Sequence, residues 1–174
     1  MLSRRQWLLS VVGTCLMLAT SAQAELPADF QAKATKAVQA LQTLAADAVM
    51  VSAAKAGTSA AGMTNAKWSD LSETDAMVTG LSSSATAGKL VAQAGMGKLI
   101  LRDKDGNLVA FAKGEKPFLF NIANRPNFKA AITGADFIAD KVAPDPSTQK
   151  PSVQVAVPVK DGGAVVGVLH ASVE

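Results

Sequence analysis

The chain has no tyrosine, one histidine and one cysteine in 174 residues, and aromatics supply only 5% of it. Cys15 falls within an apolar N-terminal run, so everything after that run is free of cysteine. Disulfides, thiolate metal sites, c-type haem attachment and a cysteine nucleophile are thereby excluded from the remainder. Nucleophilic catalysis would have to pair His170 with a serine chosen arbitrarily from many. No G-x-S-x-G, H-E-x-x-H or phosphate-loop pattern is present. Asp103, Asp105 and Asn107 in "RDKDGN" have the spacing of a calcium loop. The twelfth position of that loop is Gly114 rather than glutamate, so a hairpin turn accounts for them better. The reading is of a non-enzyme with no cofactor and no metal. There is also no basic cluster, which argues against a nucleic-acid partner.

What is present at the start is an export leader. "MLSRRQW" is a short basic region, "LLSVVGTCLMLAT" an apolar core, and "SAQA" a small-residue cleavage signal at Ala22 and Ala24. The core is shorter than the roughly 20 residues a membrane helix needs. Residues 1–24 are therefore expected to be removed, with an uncleaved anchor as the alternative, and the destination is the periplasm. Arg4 and Arg5 resemble the twin-arginine export signal, with Trp7 where phenylalanine is usual; an ordinary Sec signal carries such pairs too. Taking these two from the 17 basic residues leaves 15 against 14 acidic ones, so the +3 balance falls to +1.

Residues 25–174 read as one α+β domain. Phe30, Ala34, Val38, Leu41, Ala45 and Val49 recur at helical intervals, which predicts one long helix over about 25–57, with Asp29 as its N-cap and Gly57 at its stop. The roughly 28 residues from Asp29 to Ala56 would span about 40 Å, enough to lie along a sheet or pair with a partner. Residues 58–96 read as a helical connector, with Ser69 or Ser72 as a cap. Trp68 there is either a packing residue or a ligand-stacking one.

From residue 97 the period changes to two. "KLILRD" and "LVAFAK" flank an Asp-Gly turn. "RPNFKAAITG" is a short helix with Pro126 in its first turn and Gly134 past its end. "ADFIADKV", "SVQVAVPVK" and "AVVGVLHASV" are three more strands, and "APDPSTQKP" is a loop. The expected architecture is a long N-terminal helix packed on an antiparallel sheet of about five strands.

In that order and spacing, "LILRDKDGNLVAFA", "NRPNFKAAITG" and "DPSTQKPSVQVAVPVKDGGAVVGVLHASV" resemble the Cache sensor domains, also called PDC or extracytoplasmic PAS-like domains. The resemblance implies a sheet that cradles a small molecule. In that family an arginine near the short helix meets the ligand's carboxylate, and an aspartate in the last strand meets its ammonium group. Arg125 stands in the arginine's place, and a guanidinium suits the task because its planar fork binds carboxylates bidentately. Its alternative is a surface pairing with Asp136 or Asp140. Two departures matter: Asn127 replaces a common aromatic before Phe128, and Ser172 replaces the aspartate. A serine cannot neutralise an ammonium, which favours a simple carboxylate ligand over an amino acid.

His170 shares a strand face with Ser172. It faces either the ligand or the protein's own packing. The candidate ligand-binding set is thus Trp68, Asn124, Arg125, Phe128, Asp140, His170 and Ser172. No second apolar span follows the leader, so the expectation is of an exported binding domain that presents its ligand to a membrane receptor or kinase. The competing expectation is an interaction module with a filled pocket, dimerising through its N-terminal helix.

Overall fold

The structure is a computed structural model, and residues 26–90, 96–112 and 114–174 are described. The leader and its cleavage site lie outside them. Helices α1 (Ala28–Ala45) and α2 (Ala48–Ala56) open the fold. Three short helices follow, α3 (Asn65–Ser69), α4 (Ala76–Ser83) and α5 (Ala85–Lys89). Strands β1 (Met96–Asp103) and β2 (Leu108–Phe111) precede helix α6 (Pro126–Ile132). The chain closes with β3 (Phe137–Ile138), β4 (Ala143–Pro144), β5 (Pro151–Asp161) and β6 (Ala164–Val173). The sheet is antiparallel in the order β2-β1-β6-β5-β3, with β4 paired to the start of β5.

The expected long helix is two helices meeting at 77°. The break has a local cause. The Asp47 carboxylate accepts the Val49 N–H at 2.8 Å, which starts α2 afresh, while the Ala46 N–H turns back to the Gln42 carbonyl and the Asp47 N–H to that of Leu44. The bend re-phases the apolar face, so Met50 is buried and Val49 is exposed. At the other end Pro27, not Asp29, occupies the N-cap. Neither Ser69 nor Ser72 caps its helix: Thr64 caps α3, and the Ser72 hydroxyl and N–H both donate to Asp75. No single helix among the described residues is long and apolar enough to cross a membrane.

The Asp-Gly hairpin forms as expected. The Asp103 carboxylate accepts from the Asp105 and Asn107 N–H groups at 3.0 and 2.9 Å. Gly106 has φ +82° and packs on Ala123, where an added Cβ would stand 2.7 Å from the backbone nitrogen. Helix α6 also forms as expected, from Pro126 to Ile132. "ADFIADKV" is shorter as a strand than its alternation suggested, since only Phe137 and Ile138 pair with β5. Ala143 and Pro144, expected in a loop, form a brief edge pairing with Pro151 and Ser152; an edge position tolerates proline's missing donor.

Period-two alternation in the three central strands divides the sheet into two faces. Leu99, Leu101, Val153, Val155, Val157, Val159, Leu169, Ala171 and Val173 join the cluster that includes Ala34, Val38 and Leu41 of α1 and Met50 and Ala54 of α2. At about 25 cal/mol per Å² of apolar area removed from water, this cluster is the main source of stability. The even-numbered residues of the same strands project to the opposite face, which α6 and the 114–150 segments cover only in part.

Candidate ligand-binding site

That second face is the floor of a cavity of about 640 Å³, a volume typical of small-molecule sites. The strand register arranges the floor in rows. Lys98, Ser172 and Gln154 lie side by side across β1, β6 and β5, and Ile100, His170 and Ala156 form the next row. Arg102 stands beside Val168 in the third. Phe118, Leu119, Ile122 and Ile138 supply apolar walls, while Arg125, Asp140 and Lys141 stand around the opening. Four cationic side chains (Lys98, Arg102, Arg125, Lys141) line the cavity against two acidic ones, Asp140 and Asp145.

Two buried polar groups organise this floor. The first centres on Asp145, which the segment between β4 and β5 carries inward. Its Oδ1 accepts the N–H groups of Ser147 and Thr148 at 2.9 and 3.1 Å. Its Oδ2 accepts the Ser172 hydroxyl and, at 3.3 Å, the Gln154 amide. Burial works to raise the Asp145 pKa, but the Ser172 hydroxyl, the two backbone donors and the Lys98 charge outweigh it and hold the carboxyl below its usual value. Lys98 Nζ lies 3.7 Å from Asp145 Oδ1, an ion pair beyond hydrogen-bond reach. The Lys98 side chain is only 9% exposed, and its ammonium has no hydrogen-bond partner among the described residues. Desolvation pulls its pKa down, against the opposing pull of Asp145.

The second group is Arg102 with His170. Arg102 is fully buried, and its Nε–H donates to His170 Nε2 at 3.1 Å. Its two terminal nitrogens donate to the carbonyls of Phe120 and, at 3.0 Å, Leu119. Burial depresses the Arg102 pKa, yet a guanidinium remains a donor at any ordinary pH. His170 Nε2 must therefore be the acceptor, which puts the imidazole proton on Nδ1. Burial first, and the Arg102 charge second, press the His170 pKa well below 6.5. His170 is thus a neutral imidazole whose Nδ1–H makes no hydrogen bond among the described residues, on a side chain that lines the cavity.

Four of the candidate residues, Arg125, Asp140, His170 and Ser172, line the cavity. Arg125 forms no ion pair with Asp136 or Asp140 among the described residues; Asp136 instead accepts from Gln42. Three candidates are elsewhere. Phe128 is buried in a separate cluster with Ile122, Ala131, Ala156 and Val168. Asn124 is exposed and outside the cavity lining. Trp68 is fully buried against Phe120, with ring centroids 5.7 Å apart, and its indole N–H donates to the Pro117 carbonyl at 2.7 Å. Trp68 is therefore a packing residue.

Sequence reasoning missed Lys98, Arg102, Asp145 and Gln154. The first two carried a legible signal: in "KLILRD" the charged residues alternate with Leu99 and Leu101, so they share the face opposite the core. Asp145 carried none, because a proline-rich segment has no period from which a direction can be read. Its position also revises the reasoning about Ser172. An acidic group does stand beside Ser172, brought there by another part of the chain.

Among the described residues no group of three or more histidine, cysteine, aspartate or glutamate side chains is placed to hold a metal. No family model and no curated relative matches the sequence. Solved structures do match in fold. The sensor domain of the Vibrio cholerae histidine kinase DctB superposes with a TM-score of 0.52 at 18% identity, over 84% of this chain and 52% of that one. The ligand-binding domain of the Pseudomonas fluorescens chemoreceptor CtaA, solved with L-leucine, gives 0.49 at 16% identity, over 87% of this chain and 53% of that one. The chain spans about half the length of these domains. With its antiparallel sheet, its N-terminal helical cover and its half-covered second face, the chain has the fold of a Cache-type sensor domain.

Proposed function

We propose that this domain binds a small carboxylate in the sheet cavity and acts as the sensing part of a signalling assembly. Export by the N-terminal leader would place it in the periplasm, with a membrane receptor or kinase as its partner. The carrying observation is the character of the cavity lining: cations outnumber acids, the Lys98 ammonium has no hydrogen-bond partner among the described residues, and His170, whose Nε2 accepts from Arg102, keeps its Nδ1–H as a donor. A carboxylate is acceptor-only when ionised, so it matches such a floor. Arg125 at the opening offers a second, bidentate contact. An open cavity of about 640 Å³ weighs against the interaction-module reading, which needs the pocket filled.

A thermal-shift panel of carboxylates, amines and neutral isosteres tests this. A ligand at 100 times its Kd stabilises by about 2.7 kcal/mol, or about 5–11 °C for a domain of this size. Arg125→Ala should weaken a hit about tenfold while leaving the unliganded melting point unchanged. If no carboxylate shifts the transition, or if only amines do, the reading fails.

A further inference from the structure

We propose that Lys98 is the specificity-determining residue of the cavity: a resident cation that occupies the seat beside Asp145 and so excludes ligands bearing an ammonium group. The inference rests on the carboxylate reading above and narrows it to amine-free acids. A carboxylate has about four acceptor sites, and those of Asp145 are taken by the Ser147 and Thr148 N–H groups, the Ser172 hydroxyl and the Gln154 amide. A ligand ammonium arriving here finds no lone pair to accept its protons. It also meets the charge of Lys98, which is held 3.7 Å from Oδ1. An ammonium desolvated without an acceptor and beside a like charge is strongly disfavoured.

Lys98 itself has the opposite need. Its ammonium is nine-tenths buried and makes no hydrogen bond among the described residues, so its charge is balanced by Asp145 while its donors are unsatisfied. A buried polar group left unpaired costs free energy that a ligand acceptor would return. The residue therefore attracts the carboxylate and repels the amine of the same molecule. Its place in the register, level with Ser172 and Gln154 and next to the row of Ile100 and His170, puts it at one end of the cavity floor, on its β1 side.

The test compares butyrate with 2-aminobutyrate by calorimetry on the intact domain, two probes of one skeleton that differ by the amine. Butyrate should bind at least tenfold more tightly. In Lys98→Ala, butyrate affinity should fall at least tenfold, and ethylammonium at millimolar concentration should restore it by refilling the vacated seat. Ethylammonium should raise the melting point of the variant and not that of the wild type.

Equal or tighter binding of 2-aminobutyrate by the wild type overturns the role of Lys98 and leaves the carboxylate reading standing, as does unchanged butyrate affinity in Lys98→Ala. Failure of the wild type to bind butyrate or any other short carboxylate overturns both. If Lys98→Ala does not fold, the charge-neutral double variant Lys98→Met with Asp145→Asn replaces it. That variant should lose the tenfold preference for butyrate over 2-aminobutyrate, and a preference retained in full refutes the proposal.

Discussion

The single histidine makes the acid response of this fold unusually easy to assign. Between pH 7 and pH 5 no other side chain has an ordinary pKa in range. In the unfolded chain His170 titrates near 6.5, whereas in the fold burial and the Arg102 charge push its pKa well below that value. Between the two pKa values the unfolded state binds a proton that the folded state does not, so stability falls as pH falls. The full contribution is present above about pH 6.5 and is lost at up to about 1.4 kcal/mol per unit below it.

An imidazole held neutral throughout would lower stability by about 2 kcal/mol at pH 5 relative to pH 7, or about 4–8 °C in melting temperature. Urea unfolding at pH 7.0, 6.5, 6.0, 5.5 and 5.0 measures the slope. His170→Gln keeps an acceptor for the Arg102 Nε–H without a titrating group, and its stability should be flat within about 0.5 kcal/mol over the same range. A wild-type midpoint that does not move, or a His170→Gln midpoint that falls equally, would refute the buried neutral imidazole.

Other perturbations address the elements that place the site. Asp47→Ala removes the cap at the α1–α2 bend and should cost about 1 kcal/mol in chemical denaturation. Gly106→Ala combines a φ of +82° with a Cβ 2.7 Å from the Ala123 nitrogen; it should cost about 2 kcal/mol or more, and a neutral result would mean the hairpin is wrongly described. Trp68→Phe retains the ring but orphans the Pro117 carbonyl, so about 1–3 kcal/mol of stability should go. Carboxylate affinity should stay unchanged, because Trp68 lies outside the cavity. Arg102→Met should destabilise the fold by about 2–5 kcal/mol, since the Leu119 carbonyl and His170 Nε2 lose their donor.

Much of the fold is legible residue by residue. "KLILRD", "SVQVAVPVK" and "AVVGVLHASV" alternate, and alternation alone states which residues share a face. Asp105 and Gly106 mark the hairpin because only a residue free of Cβ strain turns the chain there. Pro126 and Gly134 bracket α6 for similar local reasons. The bend at Asp47 was legible only in part. Its carboxylate competes with the helix for its own backbone, but the apolar periodicity on either side hid the break. Phe128 and Trp68 were ambiguous by nature, since an aromatic at such a position packs or binds with the same local sequence.

The sequence by itself determined an N-terminal helical segment, a two-faced antiparallel sheet and a face on which His170 and Ser172 must lie together. These follow from short-range periodicity and turn chemistry, which depend on neighbours a few residues apart. Only the tertiary structure decided what stands across from them. The pairing of β1 with β6 sets Lys98 level with Ser172 and Ile100 level with His170, across 74 and 70 residues of chain, and the 145–150 turn brings Asp145 under Ser172. Such contacts arise from strand register and from where a non-periodic loop can satisfy its carboxylate. Neither is written in any local stretch, which is why the alternation of "KLILRD" gives Lys98 and Arg102 a face but not the partners that stand across the sheet from them.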